Sequence, residues 1–209
     1  MSDERRLAVI DLGSNSFRLV VFTWEPERWW KRTDEIHEVV RIGAGLEATG
    51  RLQPEPAERA LETIELYAHF CRALGISDVR ALATSAIREA ANRDEFVSAA
   101  RARSGLAVEV LSWETEARLG YLAGVNSTTL AGGVVLDLGG GSLQLVEVEQ
   151  RLMRAASSWK VGAVRMTERF LPGQRAKPRQ LEALRAHVLH ELSAAPWLGA
   201  STGTERRLT

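Results

Sequence analysis

Val9-Ile10-Asp11-Leu12-Gly13-Ser14-Asn15-Ser16-Phe17-Arg18-Leu19-Val20 is the stretch from which the rest of the chain is read. The apolar run Leu7 to Ile10 ends in an acid. A small polar bend follows, and a second apolar run, Phe17 to Phe22, leaves it. This pattern predicts strand, tight turn, strand. The bend collects what an oxyanion requires: Gly13, where the backbone can be approached closely, several main-chain N–H groups, and the hydroxyls of Ser14 and Ser16. Asp11, at the mouth of the turn, is placed to hold a hydrated cation.

The pattern occurs again without a gap in Val135-Leu136-Asp137-Leu138-Gly139-Gly140-Gly141-Ser142-Leu143-Gln144-Leu145-Val146. Val9, Asp11, Leu12, Gly13, Ser16, Leu19 and Val20 recur as Val135, Asp137, Leu138, Gly139, Ser142, Leu145 and Val146. One apolar-Asp-x-Gly turn is a weak signal. Two in register, a domain's length apart, predict two similar lobes that each present a phosphate loop to a shared cleft.

The chain has 209 residues and a formal net charge of zero. That length suffices to bury a sizeable core. A balanced charge offers no bulk field for nucleic acid or a membrane surface, so an anion must be held by local groups. The single cysteine, Cys71, excludes an internal disulfide. The N-terminus lacks the apolar core of a signal peptide, and no run reaches the roughly 18 apolar residues of a membrane span. The expectation is a cytoplasmic protein.

Along the chain, a third strand is predicted near Glu35 to Ile42, after a turn containing Pro26. Trp24, Trp29 and Trp30 read as half-buried cross-strand residues, the alternative being a stacking surface for a partner. The Gly-rich stretch 41–51 lacks dinucleotide-loop spacing and reads as a loop crossing near the cleft. Helical periodicity runs from Pro54 to Leu74, stopping at Gly75, and puts Cys71 on the apolar stripe as a core thiol. Val79 to Ala83 reads as a strand. Asn92 caps a helix running to about Arg103, Leu106 to Leu111 is a strand, and Ser112 opens a helix to about Ala123. Strands then follow at about Val134–Leu138, Leu143–Val148 and Arg154–Ser158. Val161 to Leu171 reads as a loop opening a helix, Gln180 to Leu192 as a further helix, and Pro196 onward as a polar tail. Alternating helices and strands make an α/β layered arrangement.

Five segments in order, Asp11 to Arg18, Ala83-Thr84-Ser85-Ala86-Ile87-Arg88-Glu89-Ala90, Leu111-Ser112-Trp113-Glu114-Thr115-Glu116-Ala117-Arg118-Leu119, Asp137 to Ser142, and Gly162-Ala163-Val164-Arg165, closely resemble the exopolyphosphatase and guanosine-pentaphosphate phosphohydrolase (Ppx/GppA) family. The resemblance spans Leu7 to about Leu171. It implies an α/β fold of the actin-like (ribonuclease H-like) type, with duplicated lobes of mixed β-sheets flanked by helices. The first lobe would cover 1–125. The second, 126–209, would be incomplete, because the family continues past this point, so the isolated chain is expected to be weakly active and poorly stable.

The implied reaction is release of terminal orthophosphate from inorganic polyphosphate by Mg²⁺-assisted attack of water. The alternatives are guanosine pentaphosphate as substrate, or a non-catalytic sensor of either ligand. A kinase of the same fold is disfavoured by the match at Glu116 and Arg88. By resemblance, Glu116 orients and deprotonates the water, with Glu114 as runner-up, and Arg88 holds phosphate oxygens. Gly13, Ser14, Asn15, Ser16, Arg18, Gly139, Gly140, Gly141 and Ser142 are the expected phosphate contacts, Arg18 alternatively being a strand residue that projects outward. Asp11 and Asp137 suit Mg²⁺, which keeps several waters and takes one or two carboxylates. Nucleic acid and membrane are not expected partners, and a homodimer of the full-length parent follows from resemblance alone. Trp113 and Thr115 depart from the family's usual glycine and acid, which bears on substrate range.

Overall fold

In the computed structural model, residues 3–173 and 175–199 are described. The chain divides into two compact units, Met1–Leu111 and Ser112–Thr209.

The first unit begins with a meander of β1 (Arg5–Leu12), β2 (Ser16–Glu25) and β3 (Trp29–Val39). Then come α1 (Leu46–Thr49), α2 (Pro54–Ala73), β4 (Val79–Ala83), α3 (Ser85–Glu89), α4 (Arg93–Ser104) and β5 (Val108–Val110). The sheet order is β3-β2-β1-β4-β5, with β1, β4 and β5 parallel and the other pairs antiparallel. Helical connections carry the chain across the sheet and make those pairs parallel, whereas short turns make the hairpins. The strands alternate as the sequence predicts. Ile10, Leu12, Phe17, Leu19 and Val21 are fully buried on one face against α2, which supplies Ala60, Ile64, Tyr67 and Cys71.

Helix α2 starts on Pro54, whose missing N–H costs nothing at a first turn, and ends before Gly75, which takes φ +64°. The Tyr67 hydroxyl donates to the Phe17 carbonyl at 3.0 Å, tying the helix to the hairpin. Cys71 is buried, as its place on the stripe predicts, and burial pushes its thiol pKa up.

Three local expectations change. Strand β3 starts earlier, at Trp29, and ends at Val39, so Val40 and Ile42 are buried in the loop that follows it. Trp24 pairs across the strands with Trp30, but Trp30 is 73% exposed, beside the turn and tilted against Phe22 at 6.1 Å. Asn92 precedes α4, yet its side chain makes no cap; it exchanges two hydrogen bonds with the backbone of Leu52, at 2.9 and 3.1 Å.

The second unit opens with α5 (Trp113–Ser127), then β6 (Gly132–Leu138), β7 (Leu143–Glu149) and β8 (Leu152–Trp159) as an antiparallel meander. Helices α6 (Ala163–Phe170), α7 (Pro178–Leu192) and α8 (Pro196–Gly199) follow. The boundary at Leu111/Ser112 lies ahead of the expected 125/126, because α5 packs on the sheet of the second unit. Helix α5 also runs past Gly124, which is there for packing: a Cβ at Gly124 would meet Val135 Cγ2 at 2.9 Å. The opposite face of the sheet buries Val134, Leu143 and Leu145 with Trp159, Met166 and the α7 residues Leu184, Val188 and Leu192. The polar-tail reading gives way at Pro196–Gly199 to a helical turn, where the Trp197 indole N–H donates to Ser157 Oγ at 3.0 Å. Residues 200–209 lie outside the described residues.

The strands β6-β7-β8 repeat β1-β2-β3. No parallel strand joins β6 among the described residues, so the mixed sheet is realised in the first unit and its antiparallel part in the second. Leu136 and Leu138 are 45% and 55% exposed, whereas their counterparts Ile10 and Leu12, beside β4, are fully buried. No helix among the described residues is long and apolar enough to cross a membrane.

Candidate active site

The two turns close identically. Strands β1 and β2 pair as far as Leu12 with Phe17, and the Gly13 N–H donates to the Ser16 carbonyl at 3.2 Å. Strands β6 and β7 pair as far as Leu138 with Leu143, and the Gly139 N–H donates to the Ser142 carbonyl at 2.9 Å. A Cβ at Gly13 would stand 2.9 Å from the Ser16 oxygen, so a glycine opens the turn for steric reasons.

Each turn is gripped from behind by its carbonyls. In the first, the Ser14 oxygen accepts from the Gly43 N–H at 3.0 Å, and the Asn15 oxygen from the Val40 and Arg41 N–H groups at 3.1 and 2.7 Å. In the second, the start of α6 does the same. The Gly139 oxygen accepts from Ala163 at 2.9 Å, the Gly140 oxygen from Val164 and Arg165 at 2.9 and 3.2 Å, and the Gly141 oxygen from Gly162 at 3.3 Å. The C=O and N–H of a planar trans peptide point opposite ways. Holding these carbonyls therefore turns the N–H groups of Asn15 and Ser16, and of Gly140, Gly141 and Ser142, outward from the turns. Convergent main-chain amides of this kind suit a phosphate. The approach of α6 is close enough to demand glycine: a Cβ at Gly162 would lie 2.3–2.4 Å from the backbone of Gly141 and Ser142.

The serine hydroxyls face inward. Ser14 and Ser142 are 5% and 3% exposed. The Ser14 and Ser85 hydroxyls share a hydrogen bond at 3.0 Å, and the Gln144 amide donates to Ser142 Oγ at 3.0 Å. These hydroxyls anchor the turns, and the groups the turns offer outward are amides. Asn15 is exposed and Ser16 half-buried. Arg18 projects from β2 and forms an ion pair with Glu35, the Nε–Oε1 distance being 2.6 Å.

The Ser14–Ser85 bond ties the first turn to α3. Arg88 sits on α3, its N–H on the Thr84 carbonyl at 3.0 Å and its Nη1 donating to the Leu111 carbonyl at 3.0 Å. Asp11, at the end of β1, is exposed and lies opposite Arg18 in the pairing register.

In the second unit, Ser112 caps α5 as expected, its Oγ accepting from the Thr115 N–H at 3.2 Å. Glu116 and Gly120 lie one turn apart on one helix face. A Cβ at Gly120 would stand 3.4 Å from Asp137 Oδ2, so this face of α5 is the one beside the Asp137 carboxylate. Glu116 is half-buried there, while Glu114 is exposed. Asp137 reaches solvent, but α5 crowds it, and this desolvation pushes its carboxyl pKa above the ordinary range. Among the described residues no three His, Cys, Asp or Glu side chains gather as a metal site. One or two carboxylates suit a cation that retains most of its water, as Mg²⁺ does, rather than one needing a protein cage.

A profile of the Ppx/GppA phosphatase family matches residues 32–209. The chain belongs to the Ppx/GppA phosphatase family. It is 34% identical over 200 residues to exopolyphosphatase 2 of Mycobacterium tuberculosis, covering 91% of this chain and 62% of that protein. The crystal structure of an exopolyphosphatase-like protein superposes with a TM-score of 0.84 at 30% identity, covering 92% of this chain and 62% of the other. The Ppx/GppA family member of Aquifex aeolicus gives 0.72 at 31% identity, covering 91% and 62%. The chain thus spans 62% of the length of each of these relatives. Its fold class is the actin-like α/β type, as the resemblance implied.

Sequence reasoning located the two turns and the helix bearing Glu116. It did not find what grips the turns. In the sequence Gly43 reads as part of a crossing loop, and Gly162 and Arg165 as part of a loop opening a helix and of a family motif. For Gly162 the available signal was a glycine at the end of an extended segment, directly before a helix. That pattern does not reveal which backbone it meets.

Proposed function

We propose that this chain carries the catalytic residues of an exopolyphosphatase, which releases orthophosphate from the end of inorganic polyphosphate. The carrying observation is the arrangement within the second unit: outward-turned amides at Gly140–Ser142, with Glu116 on the α5 face beside Asp137. Charge in such a transition state spreads over the equatorial phosphoryl oxygens, and positioned amides stabilise it without reorganising. Within the first unit, taken by itself, the amides of Asn15 and Ser16 and the guanidinium of Arg88 are groups of the same phosphate-holding kind. Glu116 accepts a proton from the attacking water. The water oxygen bonds to the terminal phosphorus, the bridging P–O bond breaks, and the shortened chain leaves with the bridging oxygen. Asp137 in the second unit, and Asp11 in the first, are each a carboxylate that would hold Mg²⁺, which when bound supplies positive charge to the phosphoryl oxygens. The names of the relatives support polyphosphate as substrate.

One observation favours guanosine pentaphosphate as a second substrate. Trp113, 37% exposed, stands on the same α5 face as Glu116 and Gly120. An exposed indole there is a surface on which a guanine can stack.

The test is phosphate release by the protein with Mg²⁺, from long-chain polyphosphate and from guanosine pentaphosphate. Glu116→Gln is expected to lower kcat by about 10²- to 10⁴-fold, the usual worth of a general base. Unchanged hydrolysis by Glu116→Gln removes the assigned base. No release from either substrate removes the enzyme reading.

A further inference from the structure

We propose that Arg165 is a positioning residue for the second turn: its guanidinium holds the Gly141 carbonyl and thereby aims the Ser142 amide at the phosphoryl group. This rests on the hydrolase reading of the turn. The two turns differ in how their carbonyls are held, and the difference at Asn15 and Gly141 involves a side chain. In the first, the Asn15 carbonyl takes two backbone donors, Val40 and Arg41, at 3.1 and 2.7 Å. In the second, the equivalent Gly141 carbonyl takes a single backbone donor, Gly162, at 3.3 Å, and Arg165 Nε supplies the other at 3.1 Å. The side chain thus stands where the first turn has a main-chain amide.

The second turn also has the greater need of such a hold. It runs Gly139-Gly140-Gly141, whereas the first has Ser14 and Asn15 at the later two places. Three successive glycines carry the largest backbone freedom to be lost on ordering. A charged donor makes a stronger hydrogen bond than a neutral amide. Arg165 also gives its own N–H to the Gly140 carbonyl at 3.2 Å, so one residue grips consecutive peptide groups. The peptide joining Gly141 to Ser142 is then fixed in plane, with its N–H directed away from α6.

The experiment compares the wild-type protein with Arg165→Lys and Arg165→Ala. Lysine keeps the charge and stem but lacks the Nε–H at the bend of the side chain. With Arg165→Lys melting as the wild type does, kcat/KM for polyphosphate is expected to fall about 10- to 100-fold, the range for slightly misdirected oxyanion donors. Millimolar methylguanidinium is expected to restore part of the rate to Arg165→Ala, which a merely misfolded variant would not show. Wild-type kinetics in both variants, or no recovery with methylguanidinium, overturns the role. Amide ¹H–¹⁵N shifts at Gly141 and Ser142 on addition of tripolyphosphate provide a readout independent of turnover. If the wild type shows them, Arg165→Lys loses them, and no phosphate is released, the positioning role stands and the hydrolase reading falls. If the wild type shows none, the positioning role falls.

Discussion

Gly162 demonstrates how much one missing side chain decides. A Cβ at Gly162, just ahead of α6, would lie 2.3–2.4 Å from atoms of the second turn, and those atoms are backbone, which cannot rotate aside. Gly162→Ala is expected to cost about 1–3 kcal/mol as overpacking. It should displace the turn as well, so the loss of phosphate release should exceed what the shift in Tm alone accounts for. Thermal melting and kinetics on the same preparation check both. Ser14 and Ser142 carry a related lesson. Their hydroxyls occur where an anion loop would place them, yet they are buried and bonded inward, to Ser85 and Gln144. The residue type was legible; the direction of its hydroxyl was not.

Among the elements, the α2–α4 pair is joined by Arg103, which reaches Glu58 at 2.7 Å and Glu65 at 3.0 Å. The Arg103 guanidinium holds the Glu65 carboxyl below its ordinary pKa. A depressed carboxyl stabilises the folded state fully above its unfolded-state pKa, and that contribution is lost as pH falls through the folded value. The Tm gap between wild type and Glu65→Gln is therefore expected to be largest near neutral pH and to narrow on acidification below the ordinary carboxylate range. Melting curves across that interval test it, and high salt should narrow the gap as well, because these groups face solvent. Helix α5 was recognised as an element from its cap and periodicity. Its membership was not, because the residue that decides it, Gly124 against Val135, is a glycine, which contributes nothing to an apolar pattern.

Over the whole molecule, the duplicated hairpins invite comparison of buried surface. Ile10 and Leu12 are fully covered beside β4, while Leu136 and Leu138 on β6 remain about half exposed. Adjacent large apolar side chains left open on a sheet are an association hazard. The 209-residue chain by itself is expected to self-associate, and Leu138→Gln to reduce this without lowering Tm, since it removes exposed rather than buried apolar surface. Light scattering at matched concentration measures the first, and a melting curve the second.

The sequence alone determined the two hairpins, their apolar alternation, the helices α2, α4, α5 and α7, the place of Cys71 and the family. These follow from local periodicity, from caps and breakers, or from motifs that repeat in register, so neighbouring residues hold the information. Only the tertiary structure decided which way the turn amides face, that Ser14 and Ser142 are anchors, that Arg18 pairs with Glu35, and that α5 belongs with β6–β8. Each of those depends on a contact between residues distant along the chain, such as Gly43 with Ser14 or Gly162 with Gly141. A backbone carbonyl accepts from whichever donor the packing delivers, and no residue identity in the turn itself records that choice.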